Sequence, residues 1–500
     1  MKGRFIVGAV IAAAFGIIVL VNFLRPSDAF FSGDGGLKLT QIQQLRAGRS
    51  GILIDRTVPP WVRDAWDAGF FPFHAPFVRE KDGRVYSVFP VYYPALNVPL
   101  YSLLGFRGLL ILPMLALLIL WIRFAALLRE RIESIFARLT ALVFVSAAAP
   151  LLIYGMIFWE HAPAVLLSYF GLEFFIRSLD ENTPASGTRG ALVFGFIAGC
   201  ASWLRPETIA FNAGLTAILL LSAPGARRKA VLFFAGAMAL STGGFFLANT
   251  LIYGTPLGLH SSELAGQMRG ARGLGDSLGI LAHMSRELIA YYAIVLPLIA
   301  FLPAMFRRRG ESPYFALGLV MLLFMASASL VLPNAGARQW GPRYLMPLVP
   351  LIAYMTALLI MDQKQRGGKL RRFAFVFVLG LVLLHGLVLN GIAGPVNILK
   401  DYRTRVSPLL EETRKASEQY IIVDHQWTAL ELGVFFQDRI FLRADNEKQM
   451  AELMGRMRAN NAGGFLYLSR KCESGQAAGV KLIDVKRAGT YGFCRGVAVK

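Results

Sequence analysis

Apolar residues arrive in long blocks along this chain, each separated from the next by a short polar or basic gap. A helix rises about 1.5 Å per residue, so a bilayer core roughly 30 Å thick needs about 20 apolar residues. The first block, residues 5–24, follows Lys2 and Arg4. It is too long for a signal-peptide core, and no small-x-small cleavage site precedes Asp34, so it reads as a retained anchor. Further spans are predicted over residues 108–124, 139–158, 164–178, 190–204, 208–223, 230–252, 288–305, 314–332, 344–361 and 373–392. The pattern predicts an α-helical multi-pass membrane protein of about eleven transmembrane helices, with residues 1–392 as its membrane domain.

Lys and Arg in short loops mark the cytoplasmic side. With a cytoplasmic N-terminus, alternate connections should be basic. They are: Arg129, Arg131 and Arg138; Arg189; Arg227, Arg228 and Lys229; Arg307, Arg308 and Arg309; then Lys364, Arg366, Lys369, Arg371 and Arg372. An odd number of spans places the tail, residues 393–500, outside. The expected location is the cytoplasmic (inner) membrane.

The outer face then receives a first loop over residues 25–107 and the tail. Within the loop, residues 35–48 put Leu37, Leu39, Ile42 and Leu45 on one broad helical face, which predicts a helix lying in the membrane interface. Residues 77–80 and 84–89 flank Lys81-Asp82-Gly83 as a hairpin would. In the tail, apolar runs at 420–423, 439–442, 465–468 and 480–485 alternate with a helical pattern at 446–459, predicting a small extracytoplasmic α/β domain.

Composition agrees: of 500 residues, 55% are hydrophobic and 17% charged, too apolar for a water-soluble chain. The net charge, 52 basic minus 31 acidic, is +21. On a soluble chain that would suggest nucleic acid, but here many basic residues are topology signals, and membrane lipids are the expected surroundings. Cys472 and Cys494 both fall in the tail, where an oxidising compartment predicts a disulfide between them; two separate buried thiols are the alternative.

Ionisable residues at the outer ends of helices are costly to bury without partners or a task. Asp34, in Ser32-Gly33-Asp34-Gly35-Gly36, reads as a helix N-cap, as a general base at the membrane surface, or as both. On the second reading the flanking glycines let substrate approach the backbone. Trp159-Glu160-His161 fills a tight outer turn, either as interfacial anchor and helix start or as ligands for a divalent metal. Arg205, in Trp203-Leu204-Arg205-Pro206-Glu207, and Arg343 and Tyr344, just before a span, suit a lipid phosphate as well as interfacial anchoring. His260 and Glu263 follow Tyr253-Gly254-Thr255-Pro256, and Arg269 and Arg272 come next. His385 and Asn390 read as interhelical hydrogen-bonding groups, and His425 as a residue at a strand end. No Walker loop, CxxC or HExxH is present.

An acid soon after the first helix, a second acid in the turn near residue 160, many spans and an exported terminal domain together resemble the GT-C glycosyltransferases. That family includes protein O-mannosyltransferases and aminoarabinose transferases. The resemblance covers residues 1–392 and implies that Asp34 is the catalytic base and that Glu160 serves metal or acceptor binding. Tyr-Gly-Thr-Pro at 253–256 and Gly-Pro-Arg-Tyr-Leu-Met-Pro at 341–347 look like motifs of bacterial members, the second near the donor phosphate. Where many members carry an Asp-Glu pair, Asp34 is followed by glycine.

Chemistry leads to a similar expectation. Nucleotide sugars are cytoplasmic, so an outward-facing transferase needs a donor already carried across, and a polyprenyl phosphate is the usual carrier. The expected reaction moves a sugar from that donor to an acceptor hydroxyl on lipid, glycan or protein, with inversion. Asp34, Glu160 and His161 would act at the reacting centre, and Arg205, Arg343, Tyr344 and His260 at the donor phosphate. A divalent metal on Glu160 and His161 is the candidate cofactor. The rivals are a transporter or flippase for a lipid-linked saccharide, which would place ionisable residues at mid-membrane, and a ligase like those that attach O-antigen, which would not need Asp34.

Overall fold

A computed structural model describes every residue except 1, 27, 55–56, 82, 180–186, 224, 262–272, 308–312, 333–339, 367, 470–474, 478–479, 489–490 and 499–500. Cys472, Glu263, Arg269, Arg272 and Arg338 lie outside the described residues. The chain divides into two compact units: Met1–Phe23 with Leu110–Val396, and Leu24–Leu109 with Asn397–Lys500.

The first unit is helical. Five described helices are long and apolar enough to cross a membrane: Gly3–Leu24, Tyr92–Arg131, Gly225–Tyr253, Tyr314–Val331 and Lys369–Lys415. A bent pair would make a sixth. Ile135–Ala148, Thr188–Leu204 and Thr208–Ser222 are shorter apolar helices. Outer helices leave apolar stripes uncovered. Leu370, Phe373, Phe377, Leu381 and Leu384 recur at helical spacing along Lys369–Gly386, and all are more than half exposed. A contiguous stripe of that kind is tolerated in lipid and is an aggregation liability in water. By contrast, His161–Ser178 and the first half of Leu348–Arg366 are buried on nearly all sides, as helices apolar all round should be.

Small residues set the closest helix contact. A Cβ built on Gly195 would lie 2.2 Å from the Phe234 carbonyl oxygen, and one on Gly199 2.7 Å from that of Met238. Four residues apart, these glycines let Thr188–Leu204 and Arg228–Tyr253 approach backbone to backbone, where packing replaces the hydrophobic effect as the source of cohesion. Trp203 Nε1 then donates to the Ser241 carbonyl at 3.1 Å.

Two predicted spans are broken. Residues 139–158 divide into Ile135–Val143, a π-helical turn Phe144–Ala148 and Leu151–Tyr154. Pro150 lacks an N–H and drives Ala149 into extended backbone. The predicted span over 288–305 is a pair of helices, Gly275–Tyr291 and Val295–Phe301, bent by 116°. One carboxamide reconciles both breaks with an apolar surrounding. Asn390, fully buried in a π-helical segment Leu387–Ala393, donates to the carbonyls of Ala148 at 2.9 Å and Tyr291 at 3.0 Å and accepts from Trp340 Nε1 at 3.0 Å. His385 Nε2 lies 2.9 Å from the Ala290 carbonyl. Both side chains make interhelical hydrogen bonds.

The second unit combines the first loop with the tail. Strands β1 (Val78–Lys81) and β2 (Arg84–Ser87) form the predicted antiparallel hairpin. The tail holds β3 (Tyr420–Val423), β4 (Ile440–Arg443), β5 (Phe465–Ser469), β6 (Gly475–Ala477), β7 (Val480–Ala488) and β8 (Tyr491–Ala498) in one sheet of order β4-β3-β5-β8-β7-β6. The first three strands are mutually parallel and the others pair antiparallel. Helix Glu447–Ala459 buries Met450, Leu453, Met454 and Met457 on one face, and Asn446 caps it by accepting from Gln449 N at 2.9 Å. Loop and tail share a core: Trp66 Nε1 donates to the Phe441 carbonyl at 2.9 Å, and Phe73 packs on Phe436. Cys494 is buried and disulfide-bonded, and Cys200 is a free thiol.

Helix Asp34–Arg46 departs from its predicted place in the interface. Residues on every side of it are buried, including Lys38, Thr40, Gln41 and Gln44. Gln41 Nε2 is held by the carbonyls of Gly51 and Phe89, and Lys38 lies over the rings of Phe89 and Tyr93. The polar positions that looked like a wet face are occupied by protein.

Replacing Gly199 by Val should destabilise the first unit by about 1–3 kcal/mol, the cost of overpacking, because Met238 and Ser241 stand where the branched side chain would go. Thermal unfolding in detergent would read the loss; an unchanged midpoint would contradict this packing.

Candidate active site

In the first unit, the turn before helix His161–Ser178 carries Trp159, Glu160 and His161, all buried despite their polarity. The turn between helices Thr188–Leu204 and Thr208–Ser222 carries Arg205 and Glu207. The two turns meet. Arg205 Nη1 is 3.0 Å from Glu160 Oε1, and Nη2 is 2.5 Å from Glu207 Oε1. Exposure of the three side chains is 11%, 8% and 13%, so the pairs are shielded from water, and removing one partner would leave a buried charge uncompensated. Burial works against the Arg205 charge, but Glu207 and then Glu160 outweigh it and hold the guanidinium's pKa above its ordinary value. Arg205 is therefore a fixed cation linking two helical turns.

Arg343 joins from a short 3-10 turn, Arg343–Leu345, preceding helix Leu348–Arg366. Its Nη2 donates to Tyr344 Oη at 3.1 Å, and its guanidinium lies 5.7 Å from the Trp159 ring and 5.0 Å from the Tyr344 ring. Arg205 lies 5.7 Å from the same Tyr344 ring. Both cations thus lie within cation–π reach of the Tyr344 ring. Tyr154 closes the group, with its ring 4.9 Å from that of His161 and its hydroxyl donating to the Trp340 carbonyl at 3.2 Å.

Of the residues predicted from sequence, Glu160, His161, Arg205, Arg343 and Tyr344 come together in this cluster. His260 is half-buried in a helical turn that follows Gly258, whose φ is +76°. Glu207, which sequence reasoning did not single out, is a member of the ion triad. Tyr154 went unnoticed because it sits in an apolar run. Among the described residues, no three His, Cys, Asp or Glu side chains gather as a metal site. Glu160 and His161 would supply two ligands to a cation, and the Glu160 carboxylate is already held by Arg205.

Asp34 is in the second unit, where Gly33 is the N-cap and Asp34 the first helical residue, half-buried. Its carboxylate does not cap the helix and makes no hydrogen bond or ion pair with the described residues. The adjacent glycines serve packing rather than substrate approach. A Cβ on Gly36 would lie 1.9 Å from the Leu430 carbonyl oxygen, one on Gly33 2.5 Å from Leu430 Cβ, and one on Gly35 2.4 Å from the Phe30 ring. Gly33 and Gly36 hold the turn around the aspartate against the tail, and Gly35 holds it against Phe30. His425 accepts from Trp427 N at 3.2 Å as the N-cap of Gln426–Glu431, which accounts for it structurally.

Several solved structures resemble the chain over most of its length. The ArnT of Cupriavidus metallidurans in its apo state aligns over 99% of this chain and 98% of its own, at a TM-score of 0.57 and 11% identity. The same protein bound to undecaprenyl phosphate aligns over 96% and 97%, at 0.58 and 12%. The chain has the GT-C fold. The oligosaccharyltransferase of Archaeoglobus fulgidus, in complex with Zn and sulfate, aligns over 92% of this chain and 67% of its own, at 0.51 and 13%. By sequence alone, no family signature and no curated protein matches.

Arg205→Gln should cost about 3–5 kcal/mol, because it strands two buried carboxylates. Adding Glu160→Gln and Glu207→Gln to it should restore most of that stability. Chemical denaturation in detergent distinguishes the cases, and a mild single variant would show that the triad contributes little.

Proposed function

We propose that this GT-C chain is a glycosyltransferase of the cytoplasmic membrane. It transfers a sugar from a polyprenyl-phosphate-linked donor to an acceptor hydroxyl on the outer face. The observation that carries the reading is Asp34: a half-buried carboxylate with no structural partner among the described residues, on a helical turn pinned by Gly33, Gly35 and Gly36. A fixed carboxylate with its acceptor capacity unused is what a general base requires. The GT-C fold and the undecaprenyl phosphate bound to one structural neighbour support the class of donor.

In this reading Asp34 takes the proton of the acceptor hydroxyl as its oxygen attacks the anomeric carbon. The bond from that carbon to the phosphate oxygen breaks, and configuration inverts. Polyprenyl phosphate leaves with the bonding electrons and needs no proton, only compensation of its charge. Arg343 supplies that compensation, backed by the Trp159 and Tyr344 rings, with His260 as an additional donor. Arg205, neutralised by Glu160 and Glu207, contributes chiefly by fixing the Glu160 turn beside them. The topology that accompanies this function is the eleven-span arrangement, with a cytoplasmic N-terminus and residues 393–500 as an extracytoplasmic domain braced by a Cys472–Cys494 disulfide.

Asp34→Asn in reconstituted protein should lower transfer from candidate polyprenyl-phosphate sugars by roughly two orders of magnitude or more. Because the carboxylate bonds to nothing, its stability should stay within about 0.5 kcal/mol. Unchanged turnover would remove Asp34 as the base and favour ligase or transporter chemistry.

A further inference from the structure

The three helices Lys2–Leu24, Ile111–Arg131 and Ile135–Val143 line a half-open cavity of about 560 Å³ within the first unit, inside the ~300–1,000 Å³ range of ligand pockets. Each contributes one face. Val7 and Ile11 come from the first helix, Ile122 and Ala126 from the second, Ile135 and Leu142 from the third. Apart from three arginines, the lining side chains are apolar or absent, as at Gly3 and Gly8. Those arginines, Arg4, Arg129 and Arg138, lie near the first helix's start, the second's end and the third's start, hence at one end of the bundle. No carboxylate lines the cavity. Arg4 and Arg129 make no hydrogen bond or ion pair with the described residues, and Arg138 is anchored only to the carbonyls of Ile132 and Glu133. An apolar slot ending in three uncompensated cations has the chemistry of an amphiphile with an anionic head.

We propose that this cavity holds one anionic phospholipid, its acyl chain between the three helices and its phosphate against Arg4, Arg129 and Arg138. Basic pockets between transmembrane helices recognise such headgroups through charge and reach. The site is separate from the Glu160–Arg205 cluster. The Arg177–Glu130 ion pair, 2.6 Å, fixes the far end of helix His161–Ser178 beside Arg129. At about 1.5 Å per residue that places roughly 25 Å between the two sites, in opposite leaflets. The first helix has a use for such a lipid. Its buried apolar residues Ala14, Ile18 and Val21 all lie in its second half, while Phe5 and Ile6 are exposed, so an acyl chain would supply the packing its first half lacks.

The test uses the full-length protein in neutral detergent, titrated with phosphatidylglycerol or phosphatidylcholine, with bound lipid counted by native mass spectrometry. One phosphatidylglycerol should be retained per chain. The triple variant Arg4→Gln, Arg129→Gln, Arg138→Gln should weaken it by roughly 100-fold, about fivefold per arginine. Should the triple variant not fold, Arg129→Gln alone should show the single fivefold step. Ala126→Trp, which fills the slot and keeps the arginines, should abolish retention. Equal retention of both lipids, no loss on removing the arginines, or full retention by Ala126→Trp would each overturn the proposal.

Discussion

Arg205 between Glu160 and Glu207 is the interaction on which the arrangement of the candidate site rests. A guanidinium cannot shed its proton in a protein, so its burial is tolerable only beside compensating carboxylates. Satisfying it welds the turn before helix His161–Ser178 to the turn after Thr188–Leu204, and this fixes where Trp159 and His161 stand. Arg343 and Tyr344 then pack onto a surface that is already set. Asn390 plays the corresponding part for the backbone, since carbonyls released by broken helices cannot turn to water within lipid. Both devices put polarity into an apolar interior with its partners supplied, and Trp340 physically joins them, bonding to Asn390 through its ring and to Tyr154 through its carbonyl.

Much of this was legible in the chain because the cost of polarity in lipid is so high that polar residues there have few uses. Glu160, Arg205 and Arg343 stood out at the ends of apolar runs, and they converge. The tail strands were readable from short apolar runs, and the hairpin from Lys81-Asp82-Gly83. Three features were hidden for definite physical reasons. At the bend after Tyr291 the hydropathy runs on unbroken, since Pro297 just beyond it is itself apolar and sits in the first turn of the next helix where proline is tolerated, and the residue that satisfies the released carbonyl, Asn390, is about a hundred positions away. The burial of Asp34–Arg46 was masked because its polar face is covered by protein that also satisfies it, through Gln41 and Lys38. The role of the glycines beside Asp34 depends on Leu430 and Gly433, which local sequence cannot reveal.

The two units use glycine toward a similar end. In the membrane unit Gly195 and Gly199 permit helix contact, and in the other Gly36 and Gly433 bring a helix and a turn almost into backbone contact. In each case the missing side chain is what lets a neighbouring main chain come near, and in the second it decides the position of a single carboxylate.

The shared core of first loop and tail has a consequence for how the protein is made. Trp66 and its acceptor carbonyl are separated by 375 residues, and nearly all of the helical unit is translated between them. The segment bearing Asp34 must therefore wait, incompletely packed, until Leu430, Gly433 and Phe441 have been made and can reach it. A chain halted before Leu430 and Phe441 are made would have its helices in place and the turn around Asp34 without the residues that brace it.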